Sequence, residues 1–443
     1  MIVNNNQSSV RRFDIDWMRV ILFGLLIPYH VAVGLIWGVY GDEFNGISSD
    51  ITAYNDNIGS ESFILLWMHT WRLPALFIIS GIGTAYASKR RDMKQFRSER
   101  IERLVIPFMF GSFIVNLPIW WISSFATDPE LANLDIIGTI IGAIIVAFFV
   151  WVFHIITIFE LGYHLWFLKN LFFYSIVISL IIPSLQNPKN KFALFFNKLV
   201  KSWWGFSFVI PIPLVLIEIL IKPYAAGYTG HGYELYWYFI FFIIGYLLIG
   251  SKEDYFVTLS RYRGLITSLA LLFSLFLFAT YLIYDEKADA FFTGGWIWGG
   301  GMSYFNSLSF ITSIIHSYHA WFWSMTLFSW AEKYLNVNSK LLKYLNQAVY
   351  PLYIWHMIYV LIGLNFMKEF DLSVSIKFLL ITIFTVITSL LSVELVKRTS
   401  ISRRLFGIKE EKNMKIKLCE TCNSQVNDND KFCTKCGNKF TMD

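Results

Sequence analysis

Arg19 and His30 stand eleven residues apart in one apolar stretch, and His69 and Arg72 share the next. Histidine titrates nearest neutrality, which suits a base that takes a hydroxyl proton, and arginine grips phosphate or carboxylate oxygens through a planar fork of N–H groups. On a helix, Arg19 and His30 lie roughly 16 Å apart along the axis and only about 20° apart around it. One face thus carries a cation at one depth and a base at another. Arg100 and Arg103 form a second basic pair, and His356, Glu218, His316 and His319 are further polar groups in apolar surroundings. His316 and His319 are one turn apart, a spacing that can bind metal, but the intervening Ser317 and Tyr318 make no zincin pattern, and a structural or cavity-lining role is preferred.

The cysteines offer different chemistry. Cys419-x2-Cys422 and Cys433-x2-Cys436 are separated by ten residues, so two knuckles present four thiolates to one tetrahedral zinc. Four thiolates leave no open coordination position, which makes the expected zinc structural. The alternative, a pair of redox dithiols, lacks a thioredoxin-like unit around it. So small a segment has almost no core, and the metal would supply most of its folding free energy.

The elements that position these residues must be membrane spans. Of 443 residues, 56% are hydrophobic, 19% aromatic and 15% charged, too little polar surface for a soluble domain of this size. Apolar runs recur that can cross a hydrocarbon core of roughly 30 Å. Ten spans are expected, at 17–39, 63–87, 104–125, from about 164, then 203–222, 234–250, 264–284, 306–330, 346–366 and 373–396. Arg11, Arg12 and Arg19 flank the start of the first span, and the cluster from Lys89 to Arg103 follows the second. Lys189 to Lys201, Lys252 to Arg263, and Lys333 to Lys343 alternate in the same register. By the positive-inside rule both termini are cytoplasmic, in a multi-pass plasma-membrane protein with no cleaved leader. The stretch 136–159 fits this alternation only as a re-entrant or surface-lying segment. The fold class is therefore all-α, a polytopic helix bundle over 1–398, a linker over 399–417 and a zinc ribbon over 418–440. The net charge of +6 sits in short clusters beside the spans, so membrane lipid is expected as a partner and nucleic acid is not.

An ionisable group deep in lipid is costly unless it faces a cavity or a partner. His69, about two turns below the outer surface, is expected at the level of His30, so that the two histidines meet. Glu218 is expected to orient a histidine or to pair with Arg72. Trp296 and Trp298, in the Gly-rich outer loop, are candidate acceptor contacts, whereas most of the aromatic residues belong to interfacial belts and packing.

The pattern Arg19-x10-His30 resembles the signature of the membrane acyltransferases called acyltransferase 3. The resemblance extends to RLPALFIISG at 72–81, to Arg100-x-x-Arg103 ahead of Leu104 and Pro107, and to HLWFL at 164–168. The segment NQAVYPLYIWHMIYVLIGL at 346–364 is similar to a family member that decorates periplasmic glucans with succinyl groups, and 418–440 resembles a short zinc ribbon. The family implies transfer of an acyl group, acetyl or succinyl, from cytoplasmic acyl-coenzyme A to a hydroxyl of an extracytoplasmic glycan. On that reading His30 is the base, with His69 and His356 as further catalytic candidates. Arg19, Arg100 and Arg103 hold the donor phosphates. Arg72 is also assigned to the donor but lies too deep for phosphates, which suits an acidic acyl group or an internal carboxylate. A secondary transporter is the main rival, although no repeat of one half in the other is found. A membrane sensor whose ribbon binds a protein partner is the second.

Overall fold

The computed structural model describes residues 12–37, 60–89, 91–112, 163–225, 227, 230–285, 307–368, 370–408, 416–419, 421–422 and 425–427. The stretch 136–159, Trp296, Trp298, Cys433 and Cys436 lie outside the described residues. The first apolar run forms two helices, α1 (Phe13–Gly24) and α2 (Leu26–Trp37), parted at Leu25. Pro28 accounts for the break, because it has no N–H to give to the Gly24 carbonyl one turn earlier. The second run is one helix, α3 (Ser60–Ser88), continuous through Pro74. α4 (Met93–Arg100) is capped by Asp92, whose carboxylate accepts the Gln95 N–H at 2.8 Å. It widens into a π turn, Ile101–Val105, before α5 (Ile106–Phe110). Pro107 donates nothing to the preceding turn, and the wider turn absorbs the missing bond.

A 3-10 turn, Tyr163–Leu165, opens α6 (Trp166–Leu185). α7 (Lys191–Lys201) is followed by a π turn, Gly205–Val209, and by α8 (Ile212–Leu220), the pair bent by 115°. Gly205 permits that bend, since a Cβ there would strike the Leu199 backbone. Then come α9 (Tyr233–Gly250), α10 (Lys252–Arg261), α11 (Arg263–Asp285), α12 (Ser307–Tyr334), α13 (Lys340–Met367), α14 (Val374–Val396) and the short α15 (Ser400–Leu405). In the tail β1 (Ile416–Leu418) pairs antiparallel with β2 (Gln425–Asn427), Leu418 opposite Gln425.

Against the ten expected spans, seven among the described residues are long and apolar enough to cross a membrane, with α1 and α2 counted together as one, or eight if the bent pair is also one span. The expected span 104–125 leaves the described residues after 112. α12 has 28 residues, long enough to cross, but its histidines and hydroxyls make it less apolar.

α3 and α9 run parallel through the centre and touch backbone to backbone. A Cβ on Gly81 would run into the Phe242 carbonyl, and one on Gly245 into the Ile78 carbonyl. Close approach through small residues is the usual packing of helices in lipid, where association rests on van der Waals contact. α14 turns Leu379, Ile383, Ile387, Leu391 and Leu395 outward, an apolar face suited to acyl chains.

The basic loops gather at one end of the bundle. Arg12 at the start of α1 lies 3.9 Å from Glu332 near the end of α12, and Arg263 at the start of α11 lies 2.9 Å from the same glutamate. Phe13 donates its N–H to Asn336 Oδ1 at 3.0 Å, and Trp17 Nε1 donates to the Val337 carbonyl at 3.1 Å. Lys89 Nζ donates to the Ile249 carbonyl at 3.5 Å, and Gln186 Nε2 reaches Ser88 Oγ at 3.3 Å. Arg12 also lies 3.6 Å over the Phe256 ring in α10, directly after α9, so the ends of α3, α6, α9 and α12 gather with the starts of α1 and α11, as the alternation of charged loops requires.

Candidate functional site

His356 sits midway along α13 and is fully buried. Its Nδ1 lies 2.7 Å from the Tyr353 carbonyl, which can only accept, so Nδ1 carries the proton and Nε2 keeps its lone pair. Nε2 is buried with no hydrogen-bond partner among the described residues. Two other imidazoles face this ring. His30, half-buried on α2, has its ring centroid 5.3 Å away, and His164 in the 3-10 turn is edge-on at 5.4 Å. His164 is fixed by α13 at both ends: its Nε2–H donates to the Ile354 carbonyl at 3.1 Å, and the Tyr353 hydroxyl donates to its own carbonyl. Three helical segments distant in sequence therefore bring three imidazoles together.

His30 and His69 meet through an intermediary. Tyr29 shares a hydrogen bond with His69 Nδ1 at 3.0 Å and lies edge-on to His30 at 5.4 Å. The Arg72 guanidinium lies over the Tyr29 ring, 3.8 Å from its centroid. Arg72 is almost wholly buried, so the expected deep cation is present beside the histidines.

Glu218 orients a histidine, one of its two expected roles, but its ion-pair partner is Lys222 rather than Arg72. His316 Nδ1 lies 2.8 Å from Glu218 Oε1, the Ser317 hydroxyl donates to the same oxygen at 2.6 Å, and Lys222 Nζ is 3.6 Å from Oε2. Trp237 stacks on the His316 ring at 4.9 Å and donates from Nε1 to Ser317 at 3.3 Å. Glu218 and Lys222 have no exposed surface. His319 points elsewhere, bridging Thr70 at 2.8 Å and Ser274 at 3.1 Å with both ring nitrogens used. The two histidines of α12 thus belong to separate packed networks, in accord with the structural role preferred for them.

The remaining arginines lie toward the charged end. Arg19 is 3.8 Å from Asp16, and its guanidinium fits beside α3 where Gly83 leaves room. Arg100 lies over the Phe96 ring at 4.8 Å, and Arg103 is 3.9 Å from Glu99. Burial, and then neighbouring Arg103, push the Arg100 pKa down to about 10, which leaves the group charged at neutral pH. In the tail, Cys419 closes β1 and Cys422 lies in the connection to β2, so the hairpin brings the first knuckle to its turn. That placement and the soft thiolate donors fit a structural zinc. No group of three or more His, Cys, Asp or Glu side chains among the described residues is arranged to hold a metal ion.

Sequence reasoning passed over Tyr29, Tyr353, Lys222 and any role for His164 beyond its motif. Lys222 had a signal, an opposite charge four residues after Glu218 in an apolar run. The tyrosines had none, because aromatic residues abound and only tertiary contacts mark these two.

The comparisons with known proteins come down on one family. The acyltransferase 3 model, described as an acyltransferase domain, matches residues 12–394. Glucans biosynthesis protein C from Salmonella paratyphi B, Salmonella heidelberg and Salmonella enteritidis is 24% identical over 168 residues, which covers 36% of this chain and 41% of each relative. The match thus spans less than half the length of these curated relatives. No solved structure matches the chain.

Proposed function

The chain belongs to the acyltransferase 3 family, and from that premise we propose that it moves an acetyl or succinyl group from cytoplasmic acyl-coenzyme A to a hydroxyl of an extracytoplasmic carbohydrate. The observation that carries this reading is the group of His30, His164 and His356, in which His356 presents a buried lone pair on Nε2. The acceptor hydroxyl gives its proton to an imidazole lone pair as its oxygen attacks the thioester carbonyl. The C–S bond breaks, and the departing thiolate takes up the proton. Arg72, beside Tyr29, places positive charge where the carbonyl oxygen becomes negative or where an acidic acyl group ends. Arg19, Arg100 and Arg103 hold the donor phosphates at the charged end, which is cytoplasmic on this reading, together with both termini in the plasma membrane. His69 acts on the site through Tyr29. The four tail cysteines hold zinc, which shapes the ribbon and takes no part in transfer.

The test uses the full chain in nanodiscs with acetyl- and succinyl-coenzyme A, following binding and slow thioester hydrolysis. His30→Ala and His356→Ala should lower turnover by about 10²- to 10⁴-fold, the usual contribution of a general base, with donor affinity kept. Arg19→Ala and Arg103→Ala should weaken binding by about tenfold or more, as loss of a charge-assisted contact does. If neither thioester binds and all four variants match wild type, the assignment is wrong and transport assays take its place.

A further inference from the structure

The family match ends at residue 394, but the chain beyond it packs onto the helix that carries the basic pair. α15 is capped by Thr399, whose hydroxyl accepts the Ser402 N–H at 3.1 Å. The helix ends at Gly407, with φ of +67°, where the Gly407 N–H bonds the Arg404 carbonyl at 3.1 Å and the Ile408 N–H bonds the Arg403 carbonyl at 2.8 Å. This reversal delivers Phe406 into an aromatic slot, edge-on to Phe110 at 5.1 Å and stacked on Trp355 at 5.7 Å. Gly407 lies against α5, where a Cβ would stand 3.1 Å from Pro107 and 3.3 Å from the Arg103 carbonyl.

That carbonyl belongs to the π turn and faces the missing Pro107 N–H, so Gly407 covers the weakest point of the segment that presents Arg103. The same reversal places Arg404 beside the pair, with Arg403 adjoining it in the chain. Arg404 is 3.7 Å from Glu102, and Arg403 has its Nε buried with no hydrogen-bond partner among the described residues. A buried guanidinium N–H without an acceptor is costly, and a phosphate oxygen would relieve it. A passive connection to the tail needs none of these features.

We propose that Ser400–Ile408 completes the donor site: Arg403 supplies a further cation for the phosphates of acyl-coenzyme A, and Phe406 and Gly407 hold the π turn that presents Arg103. The inference rests on the donor reading above and extends it to residues outside the family match. Arg403 is a binding residue, whereas Phe406 is a positioning residue that acts through Arg103.

The experiment measures binding of coenzyme A itself to the full chain in nanodiscs, across a range of salt concentrations, alongside thioester hydrolysis at saturating donor. Arg403→Gln should raise Kd about tenfold and flatten its salt dependence, because one ionic contact is gone, with the unfolding temperature unchanged. Phe406→Ala should raise KM several-fold with kcat unchanged, and Phe406→Trp, which can still fill the slot, should restore it. A structural role alone would lower kcat and thermal stability and leave the salt dependence as it was. If wild type does not bind coenzyme A, the donor reading falls and takes this one with it. If wild type binds and both variants match it, only the inference for Ser400–Ile408 is overturned. Should Phe406→Ala fail to fold, Arg403→Gln decides alone.

Discussion

The carbonyl of Tyr353 decides which nitrogen of His356 carries the proton, and so which can act. A side chain that keeps the hydrogen bond but has no basic nitrogen separates the two roles. His356→Asn, whose amide can still donate to that carbonyl, should fold with an unfolding temperature near that of wild type and still lose turnover by about 10²-fold or more. Recovery of activity in this variant would remove His356 from the chemistry. The buried pair Glu218 and Lys222 calls for a different prediction. Removing either partner strands a charge in a medium that cannot solvate it, so Glu218→Gln or Lys222→Met alone should cost about 3–5 kcal/mol. The double variant should be less destabilised than either single one, read from thermal unfolding in detergent. Additive losses would mean that the pair is not coupled. His30, His356 and Glu218 stood out in the sequence because an ionisable side chain in an apolar run needs a partner or a cavity. Which partner it finds is a tertiary matter, and so Tyr29 between His30 and His69, and Lys222 in place of Arg72, became visible only in the structure.

Helices in lipid cannot rely on the hydrophobic effect to hold one another, so the contact of α3 with α9 depends on how closely their backbones approach. Gly81 and Gly245 set that distance, because each leaves a space into which the other helix places a carbonyl. Gly81→Ala and Gly245→Ala should each destabilise the protein by about 1–3 kcal/mol or more, since the obstacle is backbone and cannot rotate away. Gly264→Ala, where nothing stands within 4 Å, should be neutral or slightly stabilising, as alanine is the better helix former. Equal behaviour of the three variants in thermal unfolding would refute the close-contact account. The spans themselves were legible, because a long apolar run has few alternatives in a membrane. Their interruptions were less so. Pro28 marks the break after α1, yet Pro74 leaves α3 continuous, since whether a helix yields to proline depends on what its neighbours supply. The 115° bend between α7 and α8 falls inside a run read as a surface loop followed by a span. It turns on Gly205 meeting the Leu199 backbone, which no periodicity reveals.

At the scale of the molecule, the alternation of basic loops and the clustering of helix ends are independent observations that agree. The loops at 89–103, 189–201, 252–263 and 333–343 were grouped by charge, and their flanking helix ends meet at one end of the bundle through contacts such as Arg12 with Glu332 and Lys89 with Ile249. Charge orients the bundle in the membrane, while packing only says which ends are together. The tail supplies a reporter for that orientation. All four cysteines lie within the last 25 residues, so a thiol reagent reads the tail and nothing else. A membrane-impermeant maleimide should leave intact cells unlabelled and label inverted vesicles, where a cytoplasmic tail faces the reagent. Labelling in inverted vesicles should be slow until a chelator is added, because thiolates bound to zinc are shielded and their release unfolds the ribbon. Zinc should be found at one equivalent per chain and fall in Cys419→Ser. Truncation after Ile408 should abolish labelling and zinc together and leave thioester hydrolysis near wild type, since it spares Phe406 and its slot. Labelling of intact cells would place the tail outside and, through the shared end of the bundle, invert every basic loop with it. Fast labelling without chelator would deny the metal and leave the orientation standing.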